Sequence, residues 1–130
     1  MNGIYKFLED FYKTISFECG EMFKAEEFRL LFTTNAALVE KMEDRFMQKT
    51  IEEHITQFET TIRDYPELFI KGFHEVQIHC DMIESEKCYL VCSEYRKAYS
   101  RNNEEVVEYG ENNMIVIYED NSFKIASIVW

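Results

Sequence analysis

Three histidines and four cysteines are the side chains best suited to ligate a metal or to pair as nucleophile and base. His74, His79 and Cys80 lie near one another in the chain, but their spacing matches no common zinc pattern. Cys19, Cys80, Cys88 and Cys92 form no C-x-x-C pair, so they read as free, partly buried thiols. Neither a metal site nor a cofactor is expected. No histidine has a sequence-evident carboxylate or thiol partner: His54 sits beside a helical apolar stripe, and His79 among polar neighbours. Tyr12 could donate its phenol to a ligand oxygen, or simply pack its ring and wet its hydroxyl. Four scattered glycines supply no phosphate-cradling loop and no dinucleotide fingerprint.

These groups must be positioned by a chain of 130 residues with 25 acidic and 14 basic side chains, a formal charge of −11. That length fits a single domain over residues 1–130, and a hydrophobic fraction of 46% is enough for a packed core. The acidic balance argues against nucleic acid, which requires a positive patch. The acidic pairs Glu26-Glu27, Glu52-Glu53 and Glu104-Glu105 read as solvated surface. The longest apolar run, Met114 to Tyr118, is far too short for a membrane span. Lys6, Glu9, Asp10 and Lys13 interrupt any apolar start, so the expectation is no signal peptide and a reducing, cytoplasmic setting.

The first half reads as helices. Ile4, Phe7, Leu8, Phe11 and Ile15 recur at helical spacing and predict a helix over residues 2–17. A short helix is expected at about Lys24 to Phe32, then a break at Thr33-Thr34-Asn35 and an apolar stretch, Ala36 to Met42, that could be a strand. Thr50 with Glu53 forms a capping box that opens a third helix, which Asp64, Tyr65 and Pro66 close. From residue 73 the period changes to two. Turn signals at Glu84 to Lys87, Asn102-Asn103 and Asp120-Asn121 divide the remainder into a four-stranded meander.

Two-residue turns would fix the registers of that meander. Around Ser85-Glu86 they set Glu75 opposite Arg96 and Cys80 opposite Val91. Around Asn102-Asn103 they set Lys97 opposite Glu108 and Ser93 opposite Asn112, with Glu94 facing Glu111 in a clash that a bulge near Gly110 could relieve. Around Asp120-Asn121 they set Val116 opposite Ile125 and Met114 opposite Ser127. One face then carries Val76, Ile78, Cys80, Met82, Val91, Tyr95, Met114, Val116, Ile125 and Val129 toward the helices, with Ser93, Asn112 and Ser127 embedded in it. Those three polar groups are either satisfied in the core or floor a ligand cavity walled by Tyr95, Met114, Phe28 and Phe58. The opposite face carries Leu90, Cys92, Ile115, Ile117, Ala126, Ile128 and Trp130, an apolar cluster that would be wet in a monomer. It predicts a two-fold homodimer, unless the chain's own start covers it.

Three helices and a long antiparallel meander ending in Phe123-Lys-Ile-Ala-Ser-Ile-Val-Trp130 resemble the nuclear-transport-factor-2-like superfamily, which includes SnoaL-like cyclases and ketosteroid isomerases. Phe11-Tyr12, Phe28-Arg-Leu-Leu-Phe32 before Asn35-Ala36-Ala37-Leu38, Thr50-Ile51-Glu52-Glu53 and Gly110-Glu-Asn112 carry the likeness. The resemblance implies an α+β cone with three N-terminal helices packed on a curved antiparallel sheet, a cavity between them and frequent dimerisation. It also implies a catalytic carboxylate near Glu40, although Glu40-Lys41-Met42 lacks the proline and glycine that follow it in the isomerase branch. Such folds host binders, enzymes and association modules alike. Three functions follow as expectations. One is a homodimeric domain binding a small apolar or amphipathic ligand. Another is an isomerase, dehydratase or cyclase using Glu40 with Tyr12 or Tyr95. The third is an association module whose interior is filled.

Overall fold

A computed structural model describes residues 3–130. Helix α1 (Gly3–Ile15) buries Ile4, Leu8, Phe11, Tyr12 and Ile15, the stripe its spacing dictates. Its expected start at Asn2 lies outside the described residues, and its end comes two residues early because Phe17 leaves to pair with Phe73. Helix α2 (Ala25–Leu30) is shorter than expected. Strand β1 (Phe32–Lys41) begins at once after it and absorbs the Thr33-Thr34-Asn35 break as an irregularity in its pairing. A short strand, β2 (Phe46–Lys49), had no sequence signal. Helix α3 (Ile51–Asp64) opens on the expected capping box: the Glu53 amide donates to Thr50 Oγ1 at 3.1 Å, and the Thr50 amide donates to Glu53 Oε1 at 2.8 Å. Pro66 turns the chain into a 3₁₀ segment, Pro66–Phe69.

Strands β3 (His74–Glu84), β4 (Tyr89–Arg101), β5 (Glu104–Glu119) and β6 (Ser122–Val129) complete one six-stranded sheet of order β2-β1-β6-β5-β4-β3. The meander is antiparallel, as expected, while β1 joins β6 in parallel. The Trp130 amide donates to the Val39 carbonyl at 3.0 Å, and the Lys41 amide to the Trp130 carbonyl at 2.6 Å. Those bonds tie the last residue into the sheet beside the helical layer.

The β4–β5 register is the one the Asn102-Asn103 turn dictates, with Lys97 opposite Glu108 and Ser93 opposite Asn112. Both asparagines have positive φ (54° and 64°), as do Asp120 and Asn121 (52° and 63°), so both tight turns match the twist of the strands they join. Glu94 does face Glu111, with no bulge at Gly110. Gly110 instead makes room for the Tyr95 ring: a Cβ there would lie 2.6 Å from Tyr95 Cζ.

Two registers differ from expectation, and each inverts part of a face. The β3–β4 connection spans residues 85–88, closed by the Ser85 amide on the Cys88 carbonyl at 2.9 Å, so Glu75 meets Lys97 and Cys80 meets Ser93. A bulge between Gln77 and His79 then leaves Ile78 unpaired. Before it, Val76 points to solvent while Glu75 is buried; Ile78 itself is exposed, and beyond it Cys80 and Met82 pack on the core as expected. The second shift falls between Ile115 and Val116, with Ala126 as the extra residue on β6. Val116 meets Ile125 as expected, but Met114 meets Ile128 and Ile115 meets Ser127. Ile128 is therefore buried in the core instead of lying on the outer face. Ser127 and Val129 lie beside the outward Ile115 and Asn113. Trp130 likewise packs against the helical layer, edge-on to His54 at 5.3 Å between ring centroids.

Candidate functional site

The strands and helices enclose a cleft with two connected chambers that share His54, Phe58, Phe73, Lys97 and Trp130 in their walls. The inner chamber has a volume of about 120 Å³. Phe11 and Ile15 of α1, Phe28 of α2, Tyr95 of β4, and Ile128 and Trp130 after the β6 bulge build its apolar wall. Into that wall project Glu75 and Asn112. The outer chamber, about 290 Å³, is rimmed by Glu40, Lys49, Lys97, Tyr99 and Arg101.

Behind the inner chamber runs a chain of buried hydrogen bonds. Asn112 Nδ2 donates to the Tyr12 hydroxyl at 3.0 Å, Tyr12 lies 2.6 Å from Ser93 Oγ, and Ser93 donates to Gln77 Oε1 at 2.5 Å. Since Ser93 spends its proton on Gln77, Tyr12 is the donor to Ser93, and the chain runs in one direction. Each step depends on residues far apart in sequence: α1 supplies Tyr12, and the β3 bulge turns Gln77 inward. Burial pushes the Tyr12 hydroxyl up to about 12, against the pull of Ser93 and Asn112, so it stays a proton donor at neutral pH.

Glu75 is the buried carboxyl of the site. Burial raises its pKa to about 7, opposed by the Lys97 ammonium across the strand pair and by hydrogen bonding from the Asn112 amide. Ser16 holds its backbone from both sides, accepting from the Glu75 amide at 2.9 Å and donating to the Glu75 carbonyl at 3.2 Å. His54 stacks on Phe28 and turns its edge to Trp130. Its Nδ1 is buried without a hydrogen-bond partner. Burial and the nearby Lys49 charge lower its pKa to about 4, although Glu40 acts the other way, so the imidazole is neutral near pH 7.

The residues singled out from sequence are distributed as follows. Phe28, Phe58, Tyr95 and Asn112 line the inner chamber. Ser93 and Met114 are buried next to it without lining it, and Tyr12 serves the hydrogen-bonded chain behind it. Ser127 lies away from it, displaced by the β6 bulge. Glu40 is at the outer rim, where Lys49 Nζ holds it at 2.6 Å, so it is not a carboxylate in an apolar pocket. Leu90, Cys92, Ile115, Ile117 and Ala126 remain outside the cleft, whereas Ile128 and Trp130 line it. Sequence reasoning overlooked Glu75, Lys97 and His54 as members of one site. Alternation assigned Glu75 to the outer face, and no residue type at Ile78 announces the bulge that reverses it. Among the described residues, no group of three or more His, Cys, Asp or Glu side chains is placed to hold a metal ion.

No family model and no curated protein matches the chain. Solved structures do. A scytalone-dehydratase-like protein of Novosphingobium aromaticivorans superposes with a TM-score of 0.74 at 15% identity, over 99% of this chain and 80% of its own. A cystatin-like-fold protein of unknown function from Nostoc punctiforme gives 0.68 at 9% identity, over 98% and 86%. A ketosteroid-isomerase-like protein of Shewanella frigidimarina gives 0.59 at 11% identity, over 81% and 79%. The chain has the cystatin-like α+β fold of these proteins, with helices packed on a curved, unclosed sheet. No helix among the described residues is long and apolar enough to cross a membrane.

Proposed function

We propose that this chain binds a small, largely apolar molecule in the two-chambered cleft, with Glu75 facing it from the inner wall. The observation that carries this reading is a single buried carboxyl, titrating near neutrality, set among Phe, Tyr, Ile and Trp side chains and backed by an ordered hydrogen-bonded chain. A filled interior would have no room for a ligand at that wall. Native mass spectrometry of the purified protein should reveal a co-purified small molecule. A mass equal to the bare chain, together with unchanged Trp130 emission across a panel of small aromatic and aliphatic compounds, would remove the binding role.

The same carboxyl favours a second reading, an isomerase or dehydratase. A group with pKa near 7 can take a proton from a carbon beside a carbonyl and return it elsewhere. Neutral His54, whose Nδ1 is unpartnered, would supply a polar contact to the substrate oxygen. Glu40, paired with Lys49, is less suited to that role than Glu75. Two structural neighbours bear dehydratase and isomerase descriptions, which supports the reaction class without identifying a substrate.

The outer face still carries Leu90 and Ile115 exposed, with Cys92, Ile117 and Ala126 half-buried beside them. We place a two-fold dimer contact there, reduced by the two residues that turn inward. Size-exclusion chromatography with light scattering is expected to give twice the 15.7 kDa chain mass, and Ile115→Lys should shift it to monomer. A wild-type monomer at micromolar concentration would end the claim.

A further inference from the structure

The charge around the cleft runs against the charge of the chain. Acidic residues outnumber basic ones 25 to 14 overall, yet the outer chamber is lined by Lys49, Lys97 and Arg101 against one carboxylate, Glu40. The strand period explains part of this. On β4, Tyr95, Lys97, Tyr99 and Arg101 are alternate residues, so one face grades from apolar at the inner chamber to cationic at the rim.

These cations are not equally engaged. Lys49 is committed to Glu40 at 2.6 Å and lies over the Trp130 ring at 5.4 Å. Lys97 makes a looser pair with Glu108 at 3.4 Å, and Glu108 is half exposed to solvent. Arg101 donates to the Tyr99 hydroxyl at 3.2 Å and stacks over that ring at 5.7 Å. Among the described residues, no carboxylate lies within ion-pair distance of it. Glu108 reaches Arg101 only through the Tyr99 hydroxyl, which donates to Glu108 at 3.0 Å, so the guanidinium keeps donors free at the outer chamber for an anionic group.

Building on the proposed ligand-binding role, we infer that the ligand is an amphipathic carboxylate, an aryl or alkyl acid. Its apolar body fills the inner chamber, and its carboxylate meets Arg101 and Lys97 in the outer one. The acid group then sits at the rim on Arg101, and Lys97, which also faces Glu75 across the strand pair, stands between the two carboxyls.

The chain has one tryptophan, Trp130, and it lines both chambers, so its emission reports occupancy directly. The test is titration with phenylalkanoates of increasing chain length and with their primary amides, followed by Trp130 emission and calorimetry. The amide keeps the shape of the acid and removes its charge. The best acid is expected to bind at least tenfold more tightly than its amide, with the gap narrowing as salt is raised. Arg101→Gln and Lys97→Gln should each weaken the acid about tenfold and close the gap between acid and amide. Acid and amide binding equally well would overturn the inference while leaving the cleft a binding site. A preference for the acid that survives both substitutions would also overturn it, because recognition would then lie elsewhere. If neither series perturbs Trp130, the binding role fails and this inference with it.

Discussion

At pH 8, Glu75→Gln is expected to raise the melting temperature by about 10 °C, while at pH 4 the variant and the parent should melt together. The sign follows from linkage. The folded-state pKa of Glu75 is raised from 4.5 to about 7 by burial, with Lys97 and Asn112 opposing and Tyr12, Tyr95 and His54 among its neighbours. A raised carboxyl binds its proton more tightly folded than unfolded, so its stabilising contribution is complete below the unfolded pKa and drains away as pH rises to about 7. Each unit corresponds to about 1.4 kcal/mol, which puts the penalty at pH 8 near 3 kcal/mol. For a domain of this length that is about 10 °C. Glutamine keeps the shape and carries no charge. Thermal melts followed by circular dichroism at the two pH values decide it; a variant less stable than the parent at pH 8 would mean that the ionised carboxylate is satisfied in the fold. If the protein is an enzyme, the same variant should be both sturdier and inactive, since the group that costs stability is the one that trades the proton.

Ile128→Asp should unfold the protein at 37 °C, whereas Ser127→Asp should shift stability by no more than about 1 kcal/mol. Ile128 is 4% exposed, opposite Met114, in the wall of the inner chamber. A carboxylate there finds apolar neighbours and no cation opposite it in the strand pair, and such a burial costs more than about 4 kcal/mol. Ser127 lies opposite the exposed Ile115 on the outer face, where a charge stays hydrated in the monomer, so at the proposed dimer contact Ser127→Asp weakens association and leaves the fold of each chain intact. Strict alternation from Asp120-Asn121 predicts the reverse outcome. Urea melts of the two variants therefore test the bulge at Ala126 directly, and an unstable Ser127 variant beside a stable Ile128 variant would restore the uninterrupted register.

Much of the architecture was legible because it rests on local chemistry. The Thr50–Glu53 box, the α1 stripe and the two Asn- and Asp-bearing turns each act within a few residues, and all appear as read. The β4–β5 pairing followed from its turn alone. The site was less legible because it depends on two bulges and a longer turn. A bulge costs little and leaves composition unchanged, yet it swaps inside for outside along the rest of a strand. Uninterrupted alternation therefore puts Glu75 in solvent and Trp130 on the partner surface. Strand β2 and the parallel union of β1 with β6 are tertiary events, set by where the last strand lies and not by periodicity in residues 32–49. His54 is the intermediate case: its place beside the α3 stripe was readable, but its burial requires Phe28 and Trp130, from distant parts of the chain.

The close approach of Tyr95 to Gly110 gives the cleft an adjustable dimension. The ring occupies the space that any side chain on the neighbouring strand would claim. A position that touches no ligand therefore governs how far the Tyr95 wall recedes. Any side chain at residue 110 would press the Tyr95 ring toward the cleft, so descendants of this sequence that bind a ligand there could be narrowed to slimmer occupants by that one position, leaving Glu75, the cations of the rim and the hydrogen-bonded relay untouched.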